Sequence, residues 1–348
     1  MASSYFLGAN GADGFVSLYG GFCRAPGDYL RIVKGGPGTG KSTFMRAIGR
    51  EAERRGETVE YVLCSGDPSS VDGVYLPGRR LGWVDGTAPH TAEPGVFGAD
   101  SDYVNLGQFC STPLPAPDAE RAAAITEAYR AEYARAYALL AAAERLMIAL
   151  SPKAPGAKAL QRVDALVSQL VESELSDCAP SGGSSKRFLG EISCEGLLRD
   201  WSSLELCKLV YELEDGCGLA GALLERLRDR AAELGVGFVE CLSPFDCRSV
   251  DALIFPAASL AFIRGAGLCP GARRLRLDRL CGSLDEVKAM RRELRAARRE
   301  RDRCVEAACG VLRGAKALHD ALETVYRPYM DHLALDAFTA AELARVFC

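Results

Sequence analysis

The chain has 348 residues, of which 48% are hydrophobic and 25% are charged, a balance typical of proteins that bury a core. Its 42 Lys and Arg residues against 46 Asp and Glu residues give a formal net charge of −4, which argues against a dedicated nucleic-acid binder. The sequence has no apolar run of about 18–20 residues and begins without the features of a signal peptide, so we expect a cytoplasmic protein that does not enter the membrane.

Predicted strands and helices alternate in the first half of the chain. A strand over Tyr29–Lys34 precedes a helix over Lys41–Arg55, a second strand ends at Cys64, and a third covers Leu81–Asp85. A helical arm follows at about residues 118–178. This alternation predicts an α/β fold with a parallel sheet and helices on both faces, which makes a three-layer domain.

The second half of the chain repeats the first. Phe6-Leu7-Gly8 recurs as Phe188-Leu189-Gly190, and Ser70-Val71-Asp72 recurs as Ser249-Val250-Asp251, with further matches in the same order. We therefore predict two tandem domains, at residues 1–182 and 183–348, which meet in a linker rich in Gly, Ser and Pro. The second domain is predicted to carry its own helical arm at about residues 284–327.

A phosphate-binding motif lies between the first of these strands and the first helix. The run Gly35-Gly36-Pro37-Gly38-Thr39-Gly40-Lys41-Ser42-Thr43 satisfies the P-loop pattern G-x-x-x-x-G-K-[ST]. Glycines allow successive backbone N–H groups to face a phosphate, and the following helix aims its free N–H groups at the same anion. Lys41 is predicted to reach the β- and γ-phosphates, Ser42 to bind Mg²⁺, and Thr43 to contact the α-phosphate. The motif therefore predicts a site for ATP with Mg²⁺.

Acidic residues that follow the later strands are candidates for catalysis. Asp85 ends an apolar strand in the manner of a Walker B motif, and we predict that it holds Mg²⁺ through a water. No glutamate follows it, so the residue that positions the attacking water is open among Asp67, Asp72 and His90, for each of which a turn or helix-cap role is at least as consistent with the sequence. We take Lys41, Asp85 and Asp67 as the catalytic candidates.

The cysteines do not form a recognisable metal motif. The chain has 14 of them, without a C-x-x-C pair, and 3 histidines. This pattern predicts reduced cysteines that serve as small apolar side chains, and Cys64 is interpreted as one of these.

The second copy lacks the P-loop chemistry. Ala220 and Gly221 replace the lysine and the hydroxyl residue, and Arg264 replaces the strand-ending aspartate. Nearby carboxylates, among them Asp215, would repel phosphate. We predict that this copy does not bind Mg-ATP in the usual way.

These residues resemble a poorly characterised family of bacterial P-loop ATPases with two tandem P-loop domains. The resemblance covers most of the first half well and the second half weakly, and it rests on Phe6–Gly8, Gly35–Thr43, Cys64–Pro68 with Asp72-Gly73, Val84–His90 and Asn105–Gly107. It implies ATP binding and hydrolysis. Members of the family usually keep a recognisable P-loop in both halves, and this sequence departs from that pattern in the second.

Three functions are compatible with these motifs. The favoured one is an ATPase that uses hydrolysis to drive a conformational or assembly change with an unidentified protein partner. A kinase that transfers the γ-phosphate to a small molecule or nucleotide is the alternative, and a nucleotide sensor that never hydrolyses is a third. ATP is favoured over GTP because the sequence has no Asn/Thr-Lys-x-Asp motif.

Overall fold

A computed structural model describes residues 2–150, 155–180, 182–282 and 284–348. The strands are β1 (Ala2–Phe6), β2 (Gly8–Gly11), β3 (Gly14–Ser17), β4 (Tyr29–Lys34), β5 (Val59–Leu63), β6 (Val71–Leu76), β7 (Leu81–Asp85), β8 (Ser101–Asn105), β9 (Ser184–Phe188), β10 (Gly190–Ser193), β11 (Gly196–Arg199), β12 (Leu209–Glu214), β13 (Phe238–Leu242), β14 (Val250–Phe255), β15 (Leu260–Arg264) and β16 (Arg273–Arg276). The helices are α1 (Lys41–Arg54), α2 (Ala116–Leu150), α3 (Ala157–Glu174), α4 (Ser202–Glu205), α5 (Ala220–Glu233), α6 (Leu284–Tyr326) and α7 (His332–Phe347).

The chain divides into two compact units. The first comprises Met1–Ala138, Glu191–Leu198 and Ala307–Cys348, and the second comprises Leu139–Gly190 and Arg199–Glu306. Each unit therefore takes segments from both halves of the sequence, whereas the sequence analysis places a single boundary between residues 182 and 183.

The first unit contains a mixed sheet with the strand order β1-β5-β6-β7-β4-β8. Three neighbouring pairs are parallel (β1–β5, β7–β4 and β4–β8), and the two pairs that involve β6 are antiparallel. The predicted α/β class is confirmed, and the sheet is mostly parallel, but β6, where the sequence analysis predicted no strand, is antiparallel to both of its neighbours. Residues 64–70 connect β5 to β6, and this link is too short for the crossover of a dozen or more residues that a parallel return requires.

The second unit has a sheet with the same plan. Its strand order is β16-β12-β15-β14-β13-β9, and β14 is the antiparallel strand. Both units interrupt the register of the corresponding antiparallel pair at the same place, between Val62 and Leu63 in the first and between Cys241 and Leu242 in the second. Corresponding strands in the two units therefore have the same order and direction.

Helix α1 packs one face against the first sheet. Phe44, Met45, Ile48 and Ala52 recur at helical spacing and are buried. Full burial of a large apolar side chain stabilises a fold by about 1.5–3 kcal/mol. Helix α7 covers α1, with the rings of Phe44 and Phe338 stacked at 6.0 Å. This packing holds the start of α1, and hence the loop before it, in place.

Long helices account for most of both predicted arms. Helices α2 and α3 cover most of the described residues of the first arm, and residues 151–154 of that arm lie outside the described residues. The single 43-residue helix α6 covers nearly all of the second arm. Among the described residues, no helix combines the length and apolar character that crossing a membrane requires.

Candidate functional site

The P-loop segment Gly35–Thr43 forms the turn from β4 into α1. Gly38 and Gly40 have φ values of +71° and +81°, in the left-handed region that favours glycine. A Cβ on Gly35 would lie 2.5 Å from Oγ1 of Thr39, so only glycine fits there without displacing that side chain. The buried Thr39 hydroxyl in turn donates to the carbonyl of Gly36 at 2.9 Å and closes the turn. The loop is thus wound tightly by its own residues.

The start of α1 is open to an anion. The first N–H groups of an α-helix have no acceptor within the helix. Among the described residues, no side chain caps the start of α1, and Thr43 is exposed. The positive end of the helix dipole faces the same place. This helix end therefore offers unsatisfied donors beside a glycine-rich loop, the arrangement that binds phosphate groups.

Lys41 connects the loop to the neighbouring strand. Its ammonium group donates to the carbonyls of Gly35 at 2.9 Å and Gly36 at 3.0 Å, and lies 3.7 Å from Oδ2 of Asp85. The parallel pairing of β4 with β7 sets Val33 opposite Asp85, which carries the carboxylate to the edge of the sheet where the loop begins. Oδ1 of Asp85 accepts from the N–H and the hydroxyl of Thr87, at 2.8 Å and 2.5 Å, so its orientation is held.

Ser42 and Asp67 have different surroundings. The Ser42 hydroxyl accepts from the N–H of Val71 at 2.9 Å, which joins the start of α1 to β6. The Asp67 carboxylate accepts from the N–H and hydroxyl of Ser69, at 3.1 Å and 2.6 Å, and lies 3.3 Å from the ammonium of Lys316. The structure thus brings Lys41 and Asp85 together, next to Ser42 in the chain. The Asp67 carboxylate instead has the contacts of a turn residue and pairs with a lysine on α6.

Two residues near the C-terminus approach the P-loop segment. A Cβ on Gly38 would lie 3.2 Å from the carbonyl oxygen of Glu323, and one on Gly40 would lie 2.8 Å from Cδ2 of Leu335. Glu323 belongs to α6 and Leu335 to α7. Sequence analysis missed both, because a glutamate and a leucine at ordinary helix positions carry no signal of a neighbour so far away in the chain.

Cys64, Asp72 and His90 form a second group beside this region. The Nε2 atom of His90 lies 3.3 Å from Oδ2 of Asp72, which also accepts from the Tyr19 hydroxyl at 3.0 Å. Burial, to which repulsion from Asp85 adds, raises the pKa of Asp72 although His90 and hydrogen bonds oppose the rise. Burial and the charge of Asp72 raise the pKa of the Cys64 thiol well above its ordinary value. Burial thus acts against the charged form of each side chain.

The corresponding turn of the second unit is filled by the chain's own carboxylates. Asp215 accepts from the N–H groups of Cys217 and Ala220, each at 2.9 Å, and Asp278 accepts from the N–H of Gly216 at 2.8 Å. These are the donors that a phosphate would use in a P-loop. The first N–H group of α5 and two N–H groups of the turn thus already have carboxylate partners.

A cation stands beside the same turn. The Arg264 guanidinium lies 2.9 Å from the position that a Cβ on Gly221 would occupy, and 3.6 Å from the Asp251 carboxylate. By strand position, Arg264 corresponds to Asp85 of the first unit. The predicted loss of a metal-binding carboxylate is therefore accompanied by a fixed positive charge.

Comparisons of the chain with protein-family models, with curated proteins and with solved structures find no match. The interpretation of the site therefore depends on its own residues.

Proposed function

We propose that the protein binds ATP with Mg²⁺ at one site, formed by Gly35–Thr43 and Asp85, and hydrolyses it to drive a conformational or assembly change. The observation that carries this proposal is the position of Lys41, whose ammonium group lies between the loop carbonyls and the Asp85 carboxylate at the uncapped start of α1. Lysine, hydroxyl and carboxylate at such a loop form the minimum set for binding a nucleotide triphosphate with its metal.

The residues present fit the nucleotide. The open N–H groups at the start of α1 would receive phosphate oxygens, and Lys41 would exchange its bonds to Gly35 and Gly36 for bonds to the β- and γ-phosphates. Ser42 and Asp85 would hold Mg²⁺, which neutralises phosphate charge when bound. In hydrolysis, the chain's own contribution is to position the phosphates and to stabilise the charge that develops on them.

We also propose that the second unit arose by tandem duplication and has lost its site. The equal strand orders of the two sheets support the common origin. The bonds of Asp215 to the start of α5 support the loss, because a carboxylate already fills the place of the phosphate. One nucleotide per chain is therefore expected.

The test is equilibrium binding of Mg-ATP together with phosphate release, measured on the wild type, Lys41→Ala and Lys34→Ala. Lys34 is a matched control, because it also donates to backbone carbonyls, those of Gly86 and Ala92, but lies outside the loop. We expect one ATP per wild-type chain and release of phosphate. Lys41→Ala should weaken binding by at least about tenfold and stop release, whereas Lys34→Ala should retain both.

The remaining outcomes separate the candidate functions. ATP binding without phosphate release in the absence of an acceptor would overturn hydrolysis and lead to a screen of phosphoryl acceptors for kinase activity. No binding by the wild type, or equal losses in both variants, would overturn the assignment of the P-loop segment itself.

A further inference from the structure

Three potential metal ligands from separate parts of the chain converge in the first unit. Cys64 follows β5, Asp72 lies in β6, and His90 lies in the segment after β7. Their ligand atoms all lie within 4.8 Å of one another. Asp72 and His90 are 5% and 8% exposed, and Cys64 is half-buried. The irregular register of the β5–β6 pair immediately before Cys64 is the kind of bulge that re-aims side chains at functional sites.

The protein does not fully satisfy the group by itself. The Nδ1 atom of His90 is buried and has no hydrogen-bond partner among the described residues. A buried polar atom left unpaired costs about 1–3 kcal/mol, so such atoms call for an explanation. The ring also lies between two aromatic side chains, with centroids 5.2 Å from Phe15 and 4.9 Å from Tyr19. The imidazole is therefore held firmly in a place where one of its nitrogens lacks a protein partner.

In the second unit, the carboxylate that corresponds to Asp72 is neutralised by an arginine. Asp251 corresponds to Asp72, and its carboxylate is paired with the Arg264 guanidinium at 3.6 Å. The first unit has Asp85 in place of that arginine, and the antiparallel pairing that sets Gly73 opposite Val84 makes Asp72 and Asp85 neighbours on adjacent strands. In the first unit Lys41 lies beside Asp85 and His90 lies beside Asp72. The neighbour of Asp72 is thus an imidazole in place of the arginine, and the ligand atoms for a metal ion are assembled there.

We propose that Cys64, Asp72 and His90 bind a divalent transition-metal ion, of which Zn²⁺ fits best, at a site separate from the P-loop. Thiolate and imidazole ligands select zinc and related ions over Mg²⁺, which prefers oxygen. Tetrahedral zinc with bonds of about 2.0–2.3 Å requires ligand atoms roughly 3.3–3.8 Å apart. Side-chain rotations that move the ligand atoms by about 1 Å would bring them to that spacing.

Binding has a defined proton balance. Cys64 becomes a thiolate and releases its proton to solvent, Asp72 coordinates as a carboxylate, and His90 coordinates as a neutral imidazole. The ion offsets the two negative charges that burial otherwise disfavours. Three protein ligands would leave a fourth position that water can occupy.

The test uses the full chain, freed of metal with EDTA and titrated with Co²⁺ as a spectroscopic probe for zinc. We expect one equivalent of Co²⁺ to produce the thiolate-to-cobalt charge-transfer band and the visible bands of a four-coordinate site, and Zn²⁺ to displace it. Cys64→Ser should abolish the charge-transfer band. Cys241→Ser is the control, because Cys241 is a fully buried cysteine of β13 in the second unit, outside the proposed site, and this variant should retain the band.

Two further variants test the role of histidine and the separation from the P-loop. His90→Gln should weaken Co²⁺ binding by at least about tenfold, and Lys41→Ala should leave the band unchanged. The proposal is overturned if one equivalent gives no thiolate band, if the band survives in Cys64→Ser, or if Cys241→Ser loses it equally. Unchanged affinity in His90→Gln overturns it as well, and this variant decides the question if Cys64→Ser fails to fold by circular dichroism. A change of the band in Lys41→Ala would overturn the separation from the P-loop.

Discussion

The ammonium nitrogen of Lys41 lies 3.7 Å from Oδ2 of Asp85, although 44 residues separate them in the sequence. The contact exists because β4 and β7 are parallel neighbours, so that the residues following β4 and the last residue of β7 meet at one edge of the sheet. Both side chains are largely buried, at 13% and 11% exposure. The fold therefore holds a cation and a carboxylate together in a partly dry site beside the glycine-rich loop.

Asp85→Asn should separate the metal's contribution from that of the nucleotide. The substitution keeps the shape of the side chain but removes the charge that would support Mg²⁺. We expect the affinity for Mg-ATP to fall by about 10- to 100-fold, and the affinity for ATP without Mg²⁺ to fall much less. Isothermal titration with and without Mg²⁺ measures both. Asp102→Asn, which alters a carboxylate paired with Arg31 on β4, is the control, and an equal loss in that variant would contradict the assignment.

Asp215→Ala should destabilise the second unit without changing nucleotide binding. Asp215 bonds to the N–H of Ala220 at the start of α5, and loss of such a cap costs about 0.5–2 kcal/mol. Urea unfolding should report this loss, while the stoichiometry of Mg-ATP stays at one per chain. A second bound nucleotide in the variant would mean that Asp215 blocks a site that still works.

Glu191→Gln should make the protein more stable at neutral pH. Glu191 is fully buried, Oε1 accepts from the backbone and side-chain N–H groups of Asn10, each at 2.9 Å, and Oε2 has no partner among the described residues. Burial raises the pKa of this carboxyl well above its ordinary value, even though the bonds from Asn10 oppose the rise. The folded state thus holds its proton at a pH where the unfolded state has released it, so the wild type loses stability as the pH rises above about 4.3.

The free energy of unfolding, measured for both proteins between about pH 3 and pH 8, tests the predicted direction of this pH dependence. The free energy of unfolding of the variant should exceed that of the wild type by an amount that grows with pH, by up to about 1.4 kcal/mol per pH unit, over the interval between the pKa of Glu191 in the unfolded state and its pKa in the folded state. At acid pH this difference should vanish. A difference that does not depend on pH would mean that Glu191 stays ionised in the folded protein.

Glu342→Gln should have the opposite pH dependence. Glu342 accepts from Arg31 at 2.9 Å and from the indole N–H of Trp83 at 3.1 Å. Burial acts to raise the pKa of this carboxyl, but the bond from Arg345 and the charge of Arg31 outweigh it, and the pKa is lowered. The carboxylate therefore contributes stability above the ordinary pKa of Glu, and this contribution is lost as the pH falls through the folded value.

At pH 7 we expect Glu342→Gln to reduce the free energy of unfolding by about 3 kcal/mol, the scale for breaking a buried ion pair. The difference from the wild type should shrink toward acid pH, in contrast to Glu191→Gln. Urea unfolding at pH 7 and at about pH 3 measures both values. A loss of equal size at both pH values would show that packing, and not charge, is responsible.

Local sequence patterns predicted the elements around the P-loop correctly. The strand Tyr29–Lys34, the start of a helix at Lys41 and the strand Leu81–Asp85 all have the predicted bounds. Each depends on neighbours in the sequence: an apolar run makes the strand, and the glycines followed by helix-forming residues make the turn. The sequence analysis predicted no strand at β6, which the structure inserts antiparallel between β5 and β7.

Local sequence patterns could not predict the clusters of side chains that come from several different strands. Cys64 and His90 are separated by two strands, and neither carries a metal-binding spacing, so the sequence favoured ordinary structural roles for both. Asp67 is close to Cys64 in the chain, but its contacts are with Ser69 and Lys316. These differences come from the direction of each side chain, which strand pairing and bulges determine.

The sequence alone determined the P-loop motif of the first half and its absence from the second, because both are properties of consecutive residues. Only the tertiary structure decided that Lys41 meets Asp85, that Cys64, Asp72 and His90 converge, and that Asp215 and Arg264 border the second turn. Strand order and direction create such contacts, since residues distant in the chain become neighbours only when the sheet has formed.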